Sequence, residues 1–458
     1  MRRPAAFLLF LAGALLPCPA FSEKTPAWPE LLLPRTELAE TDNALHRWRP
    51  LLPSLFPTDP ALSESLVDLS SPLTPAPDAA LRTWLATVQP VLSQTTLRPG
   101  ERLQLPRLHG PETPFPDHQP LRQLATVRVI ALKAAWAAGH HDEAVSLALE
   151  NLALSRELLA TQEGLIPLLN ASGIWQISLD GVYWLTREPD LTPAQAATLQ
   201  TALFRDQSLV VTALNRAFRG EFTFFTRLVI DRLPRTRDPE LLLSSIGSLG
   251  MTTPEPPEEG EPRLTVATRE IFDPEATLQA ASADIHGWLT AFTATSRHPR
   301  GLTETHTYPR LLGYAREIPA LLRYASQDGP PTPEQLAAAN AELATVENPI
   351  GKLFLIITTS QWEPLSASVF RRESQRSALT GLLAWRRLGR PVPWKDLVTA
   401  GLLAEPPADP FSSTALRLDL KPARLWSVAA NGTDEGGAGD GENFGQPADL
   451  VWPASPKR

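Results

Sequence analysis

Proline dictates where regular structure begins and ends in this chain. It occupies 47 of 458 positions, roughly double the usual share. Each ring fixes φ and removes an amide donor, so it opens a helix or marks a connector. Thr192-Pro193-Ala194-Gln195 and Thr332-Pro333-Glu334-Gln335 both place Thr at the N-cap, Pro at the first helical position and Gln two residues on. The hydroxyl satisfies an orphan amide and the Gln side chain answers back, which is a capping box. Asp273-Pro274-Glu275 is a similar start. These signals predict helices over 193–204, 274–295 and 333–346. Helical spacing of apolar residues predicts more over 207–233, 309–325, 350–359, 364–388 and 394–403.

The same punctuation divides the chain. Residues 23–120 form a proline-rich N-terminal region with short helices at Glu37–Trp48 and Asp78–Ser93, ending in the irregular "RLHGPETPFPDHQP" (Arg107 to Pro120). From Leu121 the pattern changes to helix (121–138), a Gly139 stop, and a second helix (142–159) beginning "DEAVSLALENLAL". That hairpin looks like a tetratricopeptide unit, but no fixed period repeats it. A further apolar helix spans 165–185. "TTPEPPEEGEPR" (Thr252 to Arg263) is acidic, Pro-rich and without apolar anchors, so it reads as an exposed loop. It separates a first helical layer, 121–251, from a second, 264–405. The last segment, 406–458, changes period: "ALRLDL" (Ala415 to Leu420) and "RLWSV" (Arg424 to Val428) form a strand pair, with "DLVW" (Asp449 to Trp452) as a third strand. The expected fold is therefore mainly α, an irregular helical bundle or array with a small C-terminal antiparallel β module.

The first 22 residues carry an address. Arg2 and Arg3 precede an apolar run from Ala5 to Leu16, and Ala20-Phe21-Ser22 fits the small-x-small rule of a secretory signal peptide. Cleavage after Ser22 would remove Cys18, the single cysteine, and leave no thiol for a disulfide or a metal. Lipidation at Cys18 is the alternative. No later segment reads as a transmembrane span. A net charge of −8 argues against a nucleic-acid partner.

Few strings suggest chemistry. "HHDE" (His140 to Glu143) sits on successive helix positions about 100° apart, so it reads as a helix–helix turn rather than a metal site. His298 and His306 lack metal-binding spacing, and neither a nucleophile elbow nor a phosphate loop is present. Helical tryptophans read as packing. "RGEF" (Arg219 to Phe222) places charge inside an apolar helix, as an internal ion pair or as an acid in a cleft.

The acidic tail, "SVAANGTDEGGAGDGENFGQPADLVWP" (Ser427 to Pro453), is the one candidate ion site. Asp434, Glu435, Asp440, Glu442 and Asp449 crowd carboxylates where no Lys or Arg falls between Arg424 and Lys457. Calcium takes six to eight hard oxygens on flexible backbone. The competing reading is a solvated acidic loop after an Asn-Gly turn.

Two resemblances enter here. "LLNASGIWQISLDG", "RGEF", "ENPIGKLF", "GRPVPWKDLV" and "ADPFSSTALRL…LWSVAANGTDEGG", in that order, resemble exported helical proteins of GC-rich planctomycete- and verrucomicrobia-like bacteria, a likeness that implies no reaction. The tail resembles the C-terminal calcium loop of the major pseudopilin of type II secretion. Asp409-Pro410-Phe411 matches its start, Ser427 and Gly432 its turn, Gly436-Gly437 its double glycine, and Asp449-Leu450 its end. Asn431 stands where that family has Asp, Ala429 replaces a glycine, and the pilin N-terminus is absent. The likeness implies Ca²⁺ held by Asn431, Asp434, Asp440 and Asp449.

The function expected is that of an exported periplasmic or envelope protein, binding or structural, with a protein or envelope component as partner. No catalytic residue is assigned. The alternative is an envelope hydrolase using a carboxylate such as Glu221 or Glu304 in a helical cleft.

Overall fold

The computed structural model of the protein describes residues 31–33, 37–106, 117–248, 263–295, 298, 308–326, 331–359, 362–412, 414–437 and 449–454. The N-terminal region carries α1 (Ala44–Trp48), α2 (Pro60–Ser70) and α3 (Ala79–Gln94). Next come α4 (His118–Ala137), α5 (His141–Thr161), α6 (Leu165–Arg187), α7 (Pro193–Phe204) and α8 (Leu209–Glu221). Then α9 (Arg227–Arg232), α10 (Pro239–Ser248), α11 (Pro274–Thr295) and α12 (Tyr308–Glu317) follow. The helical body ends with α13 (Pro319–Ser326), α14 (Pro333–Thr345), α15 (Pro349–Thr359), α16 (Trp362–Leu388) and α17 (Trp394–Thr399). A three-stranded antiparallel sheet closes the chain: β1 (Arg417–Leu420), β2 (Ala423–Ser427) and β3 (Leu450–Pro453), in that order. The expected fold, mainly α with a small C-terminal sheet, is the one observed.

Local signals explain most boundaries. Both capping boxes form, with Thr192 and Thr332 accepting from the amides of Gln195 and Gln335. Gly139 turns α4 into α5 at φ 83°, a conformation open to glycine, and the two helices pack together with α6. Long α16 lies against α6, α7 and α8. These three partners all precede the acidic stretch at 252–262, which lies outside the described residues. Helix α16 therefore packs across the expected division between the two helical layers.

One expected helix forms without a gap but carries an irregular turn. The span 207–233 is α8, a π-helical turn (Phe222–Thr226) and α9. A tight contact sits just before the π turn. Gly220 presses so closely on the α5–α6 turn that a Cβ there would lie 2.6 Å from the Gly164 nitrogen. A close approach of this kind admits only glycine. The expected 309–325 helix is split into α12 and α13 at Pro319, which cannot supply the interior amide.

The core continues between the helical groups. Phe218 of α8 stacks on Trp288 of α11 at 5.7 Å and meets Trp362 of α16 edge-on at 5.3 Å. Phe292 extends the cluster to Phe370, and His298 joins Phe370 to Phe411 of the C-terminal module. The helical tryptophans thus serve packing, as their spacing suggests.

One turn of the N-terminal region gathers several bonds from the helical body. The backbone oxygens of Ser71 and Thr74 accept from the buried Lys133 Nζ at 2.6 and 3.3 Å. Trp184 Nε1 also donates to the Thr74 oxygen, and Arg187 donates to that of Pro72. Arg49 adds a bidentate pair with Asp117 at the start of α4. Among the described residues no helix is long and apolar enough to cross a membrane.

Candidate functional site

The C-terminal module is organised by Asp409, which is fully buried. Its Oδ1 accepts from Ser427 Oγ at 2.7 Å and from the Phe411 amide at 3.0 Å. Its Oδ2 accepts from the Val428 amide, Ser412 Oγ and Arg417 Nη1, each at 3.2 Å. One carboxylate therefore fastens the strand β2, the preceding turn and β1 together. The module docks on the helices through Trp394 Nε1 to the Leu416 oxygen (2.8 Å), Tyr183 Oη to the Pro453 oxygen (3.1 Å) and the His298 amide to the Pro410 oxygen (2.8 Å). Gly381 of α16 leaves room for this: a Cβ there would meet the Trp394 ring at 2.7 Å.

The acidic loop is not free of cations, contrary to its linear sequence. Antiparallel pairing brings Arg417 and Arg424 back over it. Arg417 Nε donates to Asp434 Oδ2 at 2.6 Å, while Trp426 Nε1 and the Gly436 amide donate to Asp434 Oδ1. The Trp426 bond, with help from Arg417, holds the Asp434 carboxyl below its ordinary value. Arg424 donates to the carbonyls of Gly436 and Gly437, at 3.0 and 2.8 Å. Asn431 gives its amide to Glu435 Oε1 at 2.7 Å and accepts from the Thr433 amide. Asp440 and Glu442 lie outside the described residues.

Two oxygens are left over. Asp449 is fully buried, and its Oδ2 accepts from the Gly437 amide at 2.7 Å. Asp449 Oδ1 and Glu435 Oε2 are both buried without a hydrogen-bond partner among the described residues. Burial first, and then the neighbouring carboxylates of Glu435 and Asp434, push Asp449 up to about 6. Crowded carboxyls of this kind must share a proton or a cation. Of the four residues named for Ca²⁺, Asp449 lies buried beside Glu435; Asp434 and Asn431 are engaged by other partners; and Asp440 is outside the described residues. Among the described residues no group of three or more His, Cys, Asp or Glu forms a metal cluster.

The helical body holds other buried acids, each with a partner of its own. Glu221 Oε2 accepts from the Leu165 amide at 3.1 Å, capping the start of α6 from another helix, and burial pushes its carboxyl up to about 7. The ion pair expected within "RGEF" is replaced by this cap. Asp180, raised by burial to about 6, accepts from Gln176 and Gln375 at 2.7 and 2.8 Å. Asp284, also raised by burial to about 6, pairs with Arg310 at 2.8 Å. Glu304 and His306 lie outside the described residues. "HHDE" is a helix start, with His141 stacked on Trp136 at 4.1 Å.

A cavity of about 690 Å³ opens between the α7–α8 turn, α16 and the 403–410 segment leading into the module. Its α16 wall holds Glu373, Arg376, Ser377 and Thr380. Arg376 binds Glu373 with two bonds, Nε to Oε2 at 2.8 Å and Nη2 to Oε1 at 2.6 Å. Its third nitrogen donates to the Leu203 oxygen at 3.2 Å. Burial pushes the Glu373 carboxyl up, against the pull of Arg376. Behind the turn, buried Asp206 pairs with Arg156 at 2.6 Å. The available sequence signal for this site was the polar run Arg371–Arg376 in the middle of a 27-residue helix. Charges there need partners in the interior.

No protein-family model, curated protein or solved structure matches the chain.

Proposed function

We propose that the protein is an exported component of the bacterial periplasm or envelope that acts by binding a partner, with a C-terminal module stabilised by Ca²⁺. The observation that carries the binding reading is the cavity beside α16, whose charged wall is already neutralised as a Glu373–Arg376 pair. A hydrolase would instead want an acid free to exchange protons in the cleft. The acids raised furthest toward neutrality, such as Glu221 and Asp180, are tied to helix caps and amide partners. The basic and apolar start of the sequence supports export, and the α4–α5 hairpin would serve as a tetratricopeptide-like unit of the scaffold.

The test is capture of envelope material by tagged mature protein. Wild-type chain should retain an envelope component that an Ala404→Trp chain, with a bulky ring at the cavity mouth, does not. Equal recovery on both would remove the cavity from the reading.

The calcium reading rests on Asp449 and Glu435, whose unpartnered oxygens an ion would satisfy. Asn431, Asp434 and the loop carboxylate Asp440 would complete the shell only by exchanging their present partners. A hundredfold excess of Ca²⁺ over Kd should stabilise the fold by about 2.7 kcal/mol through linkage. Asp449→Asn should abolish that gain. Coincident thermal melts with millimolar calcium and with chelator would leave a proton-sharing carboxyl pair.

A further inference from the structure

We propose that the cavity beside α16 is a binding site for a neutral saccharide. This deepens the binding reading above and rests on it. The volume, about 690 Å³, lies in the range of small-ligand sites. Three features of the wall select the chemistry.

The first is charge. Glu373 and Arg376 are both more than nine-tenths buried and satisfy each other through two short bonds. A charged ligand group would have to draw one away and strand the other, which is strongly unfavourable in a buried pair. A neutral ligand leaves the pair intact.

The second is unused hydrogen-bonding capacity. Each Glu373 oxygen accepts one bond from Arg376 and keeps a second lone-pair direction. Ser377, Thr380, Ser208 and Gln207 line the same space. The Thr380 hydroxyl donates to the Arg376 oxygen at 3.0 Å and the Ser377 hydroxyl accepts from Arg376 Nη2 at 3.4 Å, which leaves Thr380 an acceptor and Ser377 a donor. Such a wall mixes acceptors with groups that both donate and accept. Adjacent sugar hydroxyls, each a donor and an acceptor, match it.

The third is the facing surface. Phe204 is 39% exposed at the cavity edge, and Pro406, Pro407 and Pro410 line it from the 403–410 segment. Rigid apolar faces beside a polar floor suit a pyranose, which presents C–H groups on its faces and hydroxyls at its rim.

Titration calorimetry of the mature chain would test the assignment, using maltose, cellobiose and sucrose as neutral probes. Glucuronic acid, glucosamine and a neutral tripeptide are the comparators. At least one neutral disaccharide should bind at a single site. It should bind about tenfold or more tighter than either charged sugar. Ala404→Trp should abolish that binding at an unchanged melting temperature. Gln207→Ala, at an exposed position, should weaken it. Tighter binding of a charged sugar or the tripeptide, sugar binding that survives Ala404→Trp, or no sugar binding at millimolar concentration would each overturn the proposal. If the sugars fail while Ala404-sensitive capture of envelope material persists, only the saccharide assignment falls. If that capture fails as well, the binding reading falls with it.

Discussion

The two ends of the described chain are attached to the helical body by opposite means. At the N-terminal side the turn Ser71–Thr74 offers backbone oxygens, and three separate side chains of α4 and α6 reach out to them: Lys133, Trp184 and Arg187. At the C-terminal side the order is reversed. The module gathers five donors onto its own buried carboxylate, Asp409, before it meets the helices. The lesson concerns redundancy. An attachment shared among several donors loses one member without collapse, whereas a hub that satisfies many donors at once fails as a unit.

The sharpest test of that contrast is Asp409→Ala. The two amides, two hydroxyls and one guanidinium nitrogen that it serves would lose a buried acceptor together. Losing one partner from such a network costs about 3–5 kcal/mol. Denaturant unfolding should show that loss, and hydrogen exchange should show lost protection across Arg417–Ser427 with α2 and α3 unaffected. A cost below about 1 kcal/mol would mean that Asp409 is no hub.

A second test asks whether the body between the two ends sets the pH response. Glu221 is raised from its ordinary 4.5 to about 7 by burial. A carboxyl raised in this way favours the protonated folded state. Its contribution is fully present below about pH 4.5 and is lost as pH rises through about 7. Glu221→Gln keeps an uncharged group with an oxygen for the Leu165 amide. At pH 8 the variant should be more stable than wild type, on the order of 2 kcal/mol, and at pH 4 the two should converge. Parallel stability curves across that window would assign the pH response to another group.

Lys133→Met should do less. The ammonium is fully buried, and burial lowers it to about 8, so removing it also removes a desolvation cost. Trp184 still donates to the Thr74 oxygen, and Arg187 to that of Pro72. The expected loss is about 1–2 kcal/mol, read as faster hydrogen exchange in α2 and α3 with the C-terminal sheet unchanged. Global unfolding would place a hub at the N-terminal end too and erase the contrast.

How much of this was legible in the sequence follows from the range of each interaction. The capping boxes at Thr192 and Thr332 and the period-two strands are encoded within a few residues, and the structure forms them. The π turn after Glu221 was not readable, and neither was the close approach of Gly220 to Gly164, remote in sequence. The acidic tail shows the same limit. Counting charges along the chain found no cation beside it, but the β1–β2 pairing returns Arg417 and Arg424 to the loop. Among the carboxylates of the tail, the burial of Asp449 beside Glu435 was not readable from charge count alone and appears only in three dimensions. The cavity joins the 204–208 turn, α16 and the 403–410 segment, so no local motif could announce it.

The smallest effect belongs to Arg102→Ala, and it tests redundancy from below. Arg102 Nε meets Glu157 Oε2 at 2.6 Å, an attachment between the N-terminal region and α5 that looks strong by distance. Its side chain is nevertheless 51% exposed, so water already solvates the guanidinium and screens the pair. Glu157 would not be stranded, since the Leu103 amide also donates to its Oε2 at 3.3 Å. The Arg102 backbone keeps its own bonds to the Asp42 oxygen and the Ala44 amide, so the N-terminal region keeps its own shape there without the side chain. The expected loss is below about 1 kcal/mol, with a weak dependence on salt. A double-mutant cycle with Glu157→Gln measures the pair itself. A coupling well above that value would show that one surface contact carries the N-terminal attachment, and the distributed clasp at Ser71–Thr74 would then be the lesser of the two.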